Sequence, residues 1–241
     1  MTDAGHINDQ SHAQFGLVSD GYADTRNRVE TYFDSTATQT WAQLTSDAPV
    51  SGIRATVRAG RERMRQVILD TLPRDLTGAR ILDAGCGTGT LAYALAARGA
   101  FVDGVDISPQ LVDIARKRTP IDLHDRVMFR AGDMLDPAHG DFDHIVAMDS
   151  LIYYDAEDIA RVLEEFAPRL NYNMVLTVAP RTPLLMAMFR LGKLFPKSDR
   201  SPTMVPHLPG DISAALRQGD LRQVRRVSSG FYISTALEYC P

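Results

Sequence analysis

Apolar and polar residues alternate along this chain in two rhythms, and the change between them marks its organisation. From Asp24 to about Leu72 apolar positions return at helical spacing. Val29, Tyr32 and Phe33 fall on one side of a first helix that Asp24 can cap. After a break at Ser35-Thr36-Ala37-Thr38, a short second helix runs through Trp41 and Leu44. Ile53, Val57, Met64 and Ile68 stripe a long third helix, opened around Pro49 and Ser51 and stopped by Pro73. From Arg80 onward, short apolar runs at 80–84, 101–105, 127–131, 142–148 and 174–178 read as strands, separated by helical stretches at 91–98, from Ser108-Pro109 onward, and at 155–170. Residues 142–148 are almost continuously apolar, as a strand covered on both faces should be. The rhythm predicts an α/β fold, a seven-stranded, mostly parallel sheet with helices on both faces and ligands at the carboxyl ends of the strands. After Pro180 it breaks. Leu184, Met188, Leu191 and Phe195 line one face of a helix, a Pro-rich run covers 198–209, a short helix covers 211–217, and pieces at 224–227 and 232–239 form a terminal antiparallel pair. The expected organisation is a disordered tail at 1–23, a helical arm at 24–73 and a core at 74–241, with a lid inserted at about 181–210.

Composition narrows the field only a little. The 241 residues suit one domain with an added arm, and 44% hydrophobic residues suffice for a core. A net charge of −4 gives no overall attraction to nucleic acid or an anionic membrane. The polar start carries no signal-peptide pattern, and no stretch has the apolar length of a membrane span. Cys86 and Cys240 lie far apart, which speaks against a disulfide framework and fits a reducing, cytoplasmic setting. His6, His12, His124, His139, His144 and His207 show no ligand spacing, so no protein metal site is expected.

The chemistry concentrates at strand ends. Ile81-Leu82-Asp83-Ala84-Gly85-Cys86-Gly87-Thr88-Gly89 reads as strand, glycine turn and helix start, a place where backbone can approach an anionic ligand group closely. Gly85, Gly87 and Gly89 alternate, and Thr90 stands where a dinucleotide fingerprint would place its last glycine. The turn resembles motif I of class I S-adenosylmethionine (SAM) methyltransferases. In that setting Asp83 can accept from the SAM ammonium. Asp106, with Ile107 beside it, closes the second strand and can accept from ribose hydroxyls. Asp133 and Met134 follow the third strand and can meet adenine. Asp149 closes the fourth strand, next to Ser150, Tyr153 and Tyr154, where the methyl acceptor would lie. The plainer reading makes Asp106 and Asp133 turn residues and buries one of the two tyrosines. Arg54, Arg58, Arg61 and Arg65 form a stripe whose commonest explanation is a solvated helix face.

Several further segments resemble the magnesium-protoporphyrin IX methyltransferase family of purple photosynthetic bacteria: 28–37 with Tyr32-Phe33-Asp34-Ser35-Thr36, 57–61, 82–89, 105–111, 147–154, 191–196 with Gly192-Lys193-Leu194-Phe195-Pro196, 200–202 and 230–234. The resemblance spans about Asp24 to Pro241. It implies methylation of the 13-propionate of magnesium-protoporphyrin IX, giving the monomethyl ester and S-adenosylhomocysteine in bacteriochlorophyll synthesis. It implies SAM as cofactor and magnesium only as part of the substrate. The arm should cap the SAM site and bring Tyr32 near the reacting centre. Tyr153 stands where oxygenic members carry a histidine, so the two tyrosines are expected to position the propionate. The 184–195 helix should cover the macrocycle, and Tyr154, Met188, Leu191, Arg200 and His207 are candidate substrate contacts. Candidate partners are the large porphyrin-binding subunit of magnesium chelatase and, peripherally, the inner or intracytoplasmic membrane. Two alternatives stay open: a methyltransferase for another apolar carboxylate, and a SAM-binding partner without turnover.

Overall fold

The structure is a computed structural model that describes residues 20–34, 38–45, 52–183, 186 and 203–241. Three helices lead the chain: α1 (Asp20–Tyr32), α2 (Thr38–Leu44) and α3 (Gly52–Thr71). Strand and helix then alternate through β1 (Arg80–Ala84), α4 (Thr90–Ala96), β2 (Phe101–Asp106), α5 (Pro109–Arg118), β3 (Val127–Ala131), β4 (Phe142–Ala147), α6 (Ala156–Phe166) and β5 (Leu170–Pro180). The two-residue β6 (Pro206–His207), helix α7 (Pro209–Ala215) and the hairpin β7 (Asp220–Ser229) and β8 (Tyr232–Cys240) complete the described chain.

The main sheet runs β3-β2-β1-β4-β5-β8-β7, and β6 pairs with β5 off this path. β8 lies antiparallel to β5 and β7, and the remaining pairs are parallel. The chain leaves β1 toward β2 on one side and reaches β4 on the other. The carboxyl end of β1 is therefore the switch point where such sheets bind ligands.

Alternate residues of each central strand serve two cores, as the period of two requires. Ile81, Val146 and Val175 pack with Met64, Ile68, Leu95 and Val112 beneath α3, α4 and α5. Leu82, Ile145 and Leu176 pack with Ile159, Leu163, Phe166 and Ile212 beneath α6 and α7. The Ser108-Pro109 start behaves as its sequence predicts: the Ser108 hydroxyl accepts from Leu111 N at 3.3 Å, with proline in the first turn.

Some boundaries move. α1 begins at Asp20, so residues 20–23 belong to the arm and not to a disordered tail. The reason is Tyr22, whose buried ring stacks on Tyr154 at 4.9 Å. α6 ends at Phe166 because Pro168 tightens the next turn, Ala167–Arg169. β5 and the closing hairpin are longer than the apolar runs suggest, since pairing continues past them. Apart from Met186, whose N–H donates to the Thr182 carbonyl at 2.8 Å, the expected 184–195 helix, with Met188 and Leu191, lies outside the described residues, as does Arg200. Among the described residues no helix is long and apolar enough to cross a membrane.

Candidate active site

At the end of β1 the backbone turns with positive φ at Gly85 (82°), Gly87 (54°) and Gly89 (83°). At Gly85 no side chain fits: a Cβ there would lie 2.3 Å from Cβ of Ser150, and the left-handed φ adds its own strain. Ser150 sits so close because its hydroxyl donates to the Ala84 carbonyl at 2.8 Å. The loop, the ends of β1 to β4 and the arm enclose a cavity of about 890 Å³, counting its open mouth.

Four carboxylates line this cavity. Asp83 is buried, and its Oδ2 makes no hydrogen bond. Burial first, and the charge of Asp106 second, push its carboxyl up to about 7, while Ala92 N–H and Arg61 pull it down. Asp106 accepts from Gly87 N at 2.8 Å and Ser108 N at 2.9 Å, which ties the glycine loop to β2. Burial raises its carboxyl to about 6 against those two hydrogen bonds. Asp133 accepts from Leu135 N at 2.9 Å and is held from the arm by Arg26 Nη1 at 2.7 Å and Tyr22 Oη at 3.2 Å.

Asp149 is the most constrained of the four. It has φ of 59°, the single positive value at a non-glycine position among the described residues. Such a conformation persists only where its surroundings over-determine it, and it clusters at functional sites. Here the surroundings are explicit. Arg61 of α3 forms an ion pair with Oδ2, and Tyr232 of β8 donates to Oδ1 at 3.0 Å. Thr177 of β5 donates to Oδ1 at 3.1 Å and accepts from Asp149 N at 2.8 Å. Gly60 lets α3 approach closely enough, since a Cβ there would sit 2.6 Å from the Tyr232 ring. Arg61 also lies over the Trp41 ring, 4.5 Å from its centroid.

The arm is fastened to the core on several sides. Ser108 donates to Asp34 at 2.6 Å and Gln110 to the Asp34 carbonyl at 2.7 Å. Thr88 of the glycine loop donates to Thr45 at 2.8 Å. Val29, Phe33 and Leu111 form a small apolar cluster with Tyr32, Trp41, Ile107 and Tyr153 around them. Phe33 meets Tyr32 edge-on at 5.3 Å and Tyr153 at 6.4 Å. Tyr153 lines the cavity from a tight turn, Leu151–Tyr153, that follows β4. Burial, with Asp149 nearby, holds its hydroxyl well above the usual phenol range, so it stays a neutral donor.

The expected site residues therefore converge with some exceptions. Asp83, Gly85, Gly87, Asp106, Ile107, Asp133, Met134, Asp149, Tyr153 and Tyr154 all line the cavity. Gly89 instead caps α4. Tyr32 sits in the apolar cluster beside Tyr153. Tyr154 faces Tyr22, on the Asp133 side of the cavity. His207 is buried and does not line the cavity. Its Nε2 bonds the Tyr154 carbonyl at 2.9 Å, so it supports the tyrosine turn from behind. The arginine stripe is no solvated face either. Arg54 is exposed, but Arg61 turns inward to Asp149, and Arg58 reaches the carbonyls of Gln43 and Leu44 at the end of α2. Sequence reading also missed Tyr22, Arg26, Trp41 and Tyr232 as parts of this site.

The cavity fits SAM by its own chemistry. A buried carboxylate oxygen without a donor suits an ammonium, and Asp106 and Asp133 occupy the next strand ends in turn. Among the described residues no cluster of three or more His, Cys, Asp or Glu could hold a metal ion.

Comparison with known proteins agrees with this geometry. Residues 147–241 match the family model for the magnesium-protoporphyrin IX methyltransferase C-terminus, and residues 81–173 match a methyltransferase domain. The chain is 57% identical to a magnesium-protoporphyrin O-methyltransferase of Rhodobacter capsulatus, over 91% of this chain and 98% of that one. It is 28% identical to the chloroplastic magnesium protoporphyrin IX methyltransferase of Arabidopsis thaliana, over 88% of this chain and 70% of that one. The crystal structure of magnesium protoporphyrin IX methyltransferase from Synechocystis PCC 6803 with bound S-adenosylhomocysteine superposes with a TM-score of 0.77 at 28% identity, covering 89% of this chain and 99% of that one.

Proposed function

The chain belongs to the magnesium-protoporphyrin IX methyltransferase family, a branch of the class I SAM-dependent methyltransferases, and from that premise we propose how its own residues perform the reaction. It is a SAM-dependent O-methyltransferase that acts on magnesium-protoporphyrin IX in (bacterio)chlorophyll synthesis. The oxygen nucleophiles of that porphyrin are its two propionates, and our reading assigns the 13-propionate as the one esterified. The observation that carries the reading is the unpaired, buried oxygen of Asp83 at the foot of a cavity whose next walls are Asp106 and Asp133.

A propionic acid titrates near the model carboxyl value of about 4.3, so at neutral pH the acceptor is already an anion and needs no base. When bound, SAM supplies a sulfonium methyl: a propionate oxygen forms the new C–O bond as the S–CH₃ bond breaks, leaving a neutral thioether and no proton to move. The protein's task is then placement, which for well-oriented pairs is worth roughly 7–11 kcal/mol. In this reading Asp83 holds the ammonium, Asp106 the ribose and Asp133 with Met134 the adenine. Tyr153, a neutral donor, and Tyr32 beside it orient the propionate. The Arg61–Asp149 pair fixes the β4 end against which the reacting groups lie. Phe33 and Trp41 of the arm keep water from both charges. Delivery of the apolar porphyrin by magnesium chelatase fits the same reading, since its substrate already carries the metal.

The reading is tested with SAM labelled in its methyl group. Label should appear in an ester of magnesium-protoporphyrin and should not appear when both propionates are blocked as esters beforehand. Equal labelling of the blocked porphyrin would refute carboxylate as the acceptor.

A further inference from the structure

A second cavity, of about 1160 Å³ counting its mouth, adjoins the first on the side of α4 and the end of α5. Arg58, Arg65 and Arg118 line it, with Glu62 as the one carboxylate among the described residues of its wall and Tyr93 among its other walls. Arg61, Thr45, Thr90 and Met148 belong to both cavities, so only one layer of side chains separates them.

The three arginines are partly engaged. Arg58 donates through Nε and Nη2 to the carbonyls of Leu44 and Gln43. Arg118 donates to Thr45 Oγ1 at 3.3 Å and the Ala42 carbonyl at 3.1 Å. Arg65 pairs with Glu62 at 2.5 Å and reaches the Thr90 carbonyl at 3.4 Å. Clamping the carboxyl end of α2 explains why Arg58 and Arg118 lie here, but neutral carbonyls do not cancel charge. Among the described residues Nη1 of Arg58 and Nε of Arg65 and Arg118 have no hydrogen-bond partner. In a chain of net charge −4, this is a concave site with an excess of positive charge and unused guanidinium donors.

We propose that this cavity binds the substrate's second propionate while the first reacts in the neighbouring cavity. The inference rests on the reading given under Proposed function. A rigid macrocycle carries its two propionates on adjacent pyrrole rings. When one carboxylate lies at the shared wall formed by Arg61, Thr90 and Met148, the other is offered to the arginines behind it. A site that needs a free carboxylate there rejects the monoester as an acceptor, which limits the reaction to a single esterification.

The test uses the full chain carrying Arg65→Gln or Arg118→Gln, and two acceptors. One is magnesium-protoporphyrin. The other is a magnesium porphyrin with a single propionate. A lost charge-assisted hydrogen bond predicts a KM for magnesium-protoporphyrin raised roughly 10-fold. SAM affinity should stay within about twofold, which reports that arm and core remain assembled. KM for the single-propionate porphyrin should not respond, and Arg118→Lys should restore part of the loss. An unchanged KM for magnesium-protoporphyrin, or an equal rise for both porphyrins, overturns the second-propionate site but leaves the methyltransferase reading standing. A wild-type chain that methylates neither porphyrin overturns both.

Discussion

Protonation of Asp83 should control SAM binding near neutral pH. Its carboxyl sits at about 7 in the ligand-free protein because it is buried beside Asp106. An ammonium needs the ionised form. With half of the carboxyl ionised at pH 7 and about a tenth at pH 6, SAM affinity should fall about fivefold over that single pH step. The SAM amine itself stays protonated there, as an α-amino group titrates near 7.7–8.0. Below pH 6 the decline should steepen as Asp106, at about 6, becomes protonated as well. Asp83→Asn isolates the effect. It should weaken SAM binding at pH 7.5 by roughly 10- to 100-fold, and reduce the fall between pH 7 and 6 to the roughly twofold that Asp106 contributes. Stability should move the other way. The folded pKa lies above the unfolded value, so the folded state binds the extra proton and stability falls as pH rises from about 4 to 7, by about 1.4 kcal/mol per pH unit from this group. Ligand-free Asp83→Asn should escape that loss and melt higher at pH 7.5. Trp41, the chain's single tryptophan, lines the cavity, so its fluorescence can follow binding directly. A pH-independent SAM affinity between 6 and 7, or an asparagine variant that keeps the full fall, would refute the role assigned to Asp83.

Arg61→Ala should leave the Asp149 carboxylate, whose side chain is 6% exposed, without its counter-ion; urea denaturation should show a loss of about 3 kcal/mol, and activity should go with it. Gly85→Ala should cost about 1–3 kcal/mol from its left-handed φ alone, plus the clash with Ser150. Adding Ser150→Gly should recover the clash and not the conformational cost, and full recovery in thermal melts would contradict the strained-turn account. Tyr153→Phe should lower kcat roughly tenfold with SAM affinity within about twofold; full turnover at saturating substrate would make its hydroxyl irrelevant.

The sheet was readable because doubly covered strands are apolar runs and because Ser108-Pro109 announces a helix start in one dipeptide. Asp83, Asp106, Asp133 and Asp149 were readable because strand ends in this topology converge on one place. Arg61 was not. Its partner lies 88 residues away, and only the close passage of α3 over Tyr232 turns it inward. Tyr22 was hidden by a polar neighbourhood that resembles a tail and Arg26 by a polar helix face, while their partner Asp133 is more than 100 residues distant. The place of His207 was hidden for the complementary reason: a histidine in an irregular, Pro-rich stretch reads as exposed, whereas pairing of β6 with β5 buries it against the Tyr154 carbonyl. In each case local pattern set the element, and long-range packing set the direction of the side chain.

Methyl transfer to the porphyrin is checked in one incubation of the purified protein with SAM and magnesium-protoporphyrin IX, followed by mass spectrometry of porphyrin and nucleoside together. The expected product is a porphyrin heavier by one methylene group, as a single ester, with one S-adenosylhomocysteine for each ester formed. SAM bound but not consumed, or consumed without a porphyrin ester, would contradict that transfer.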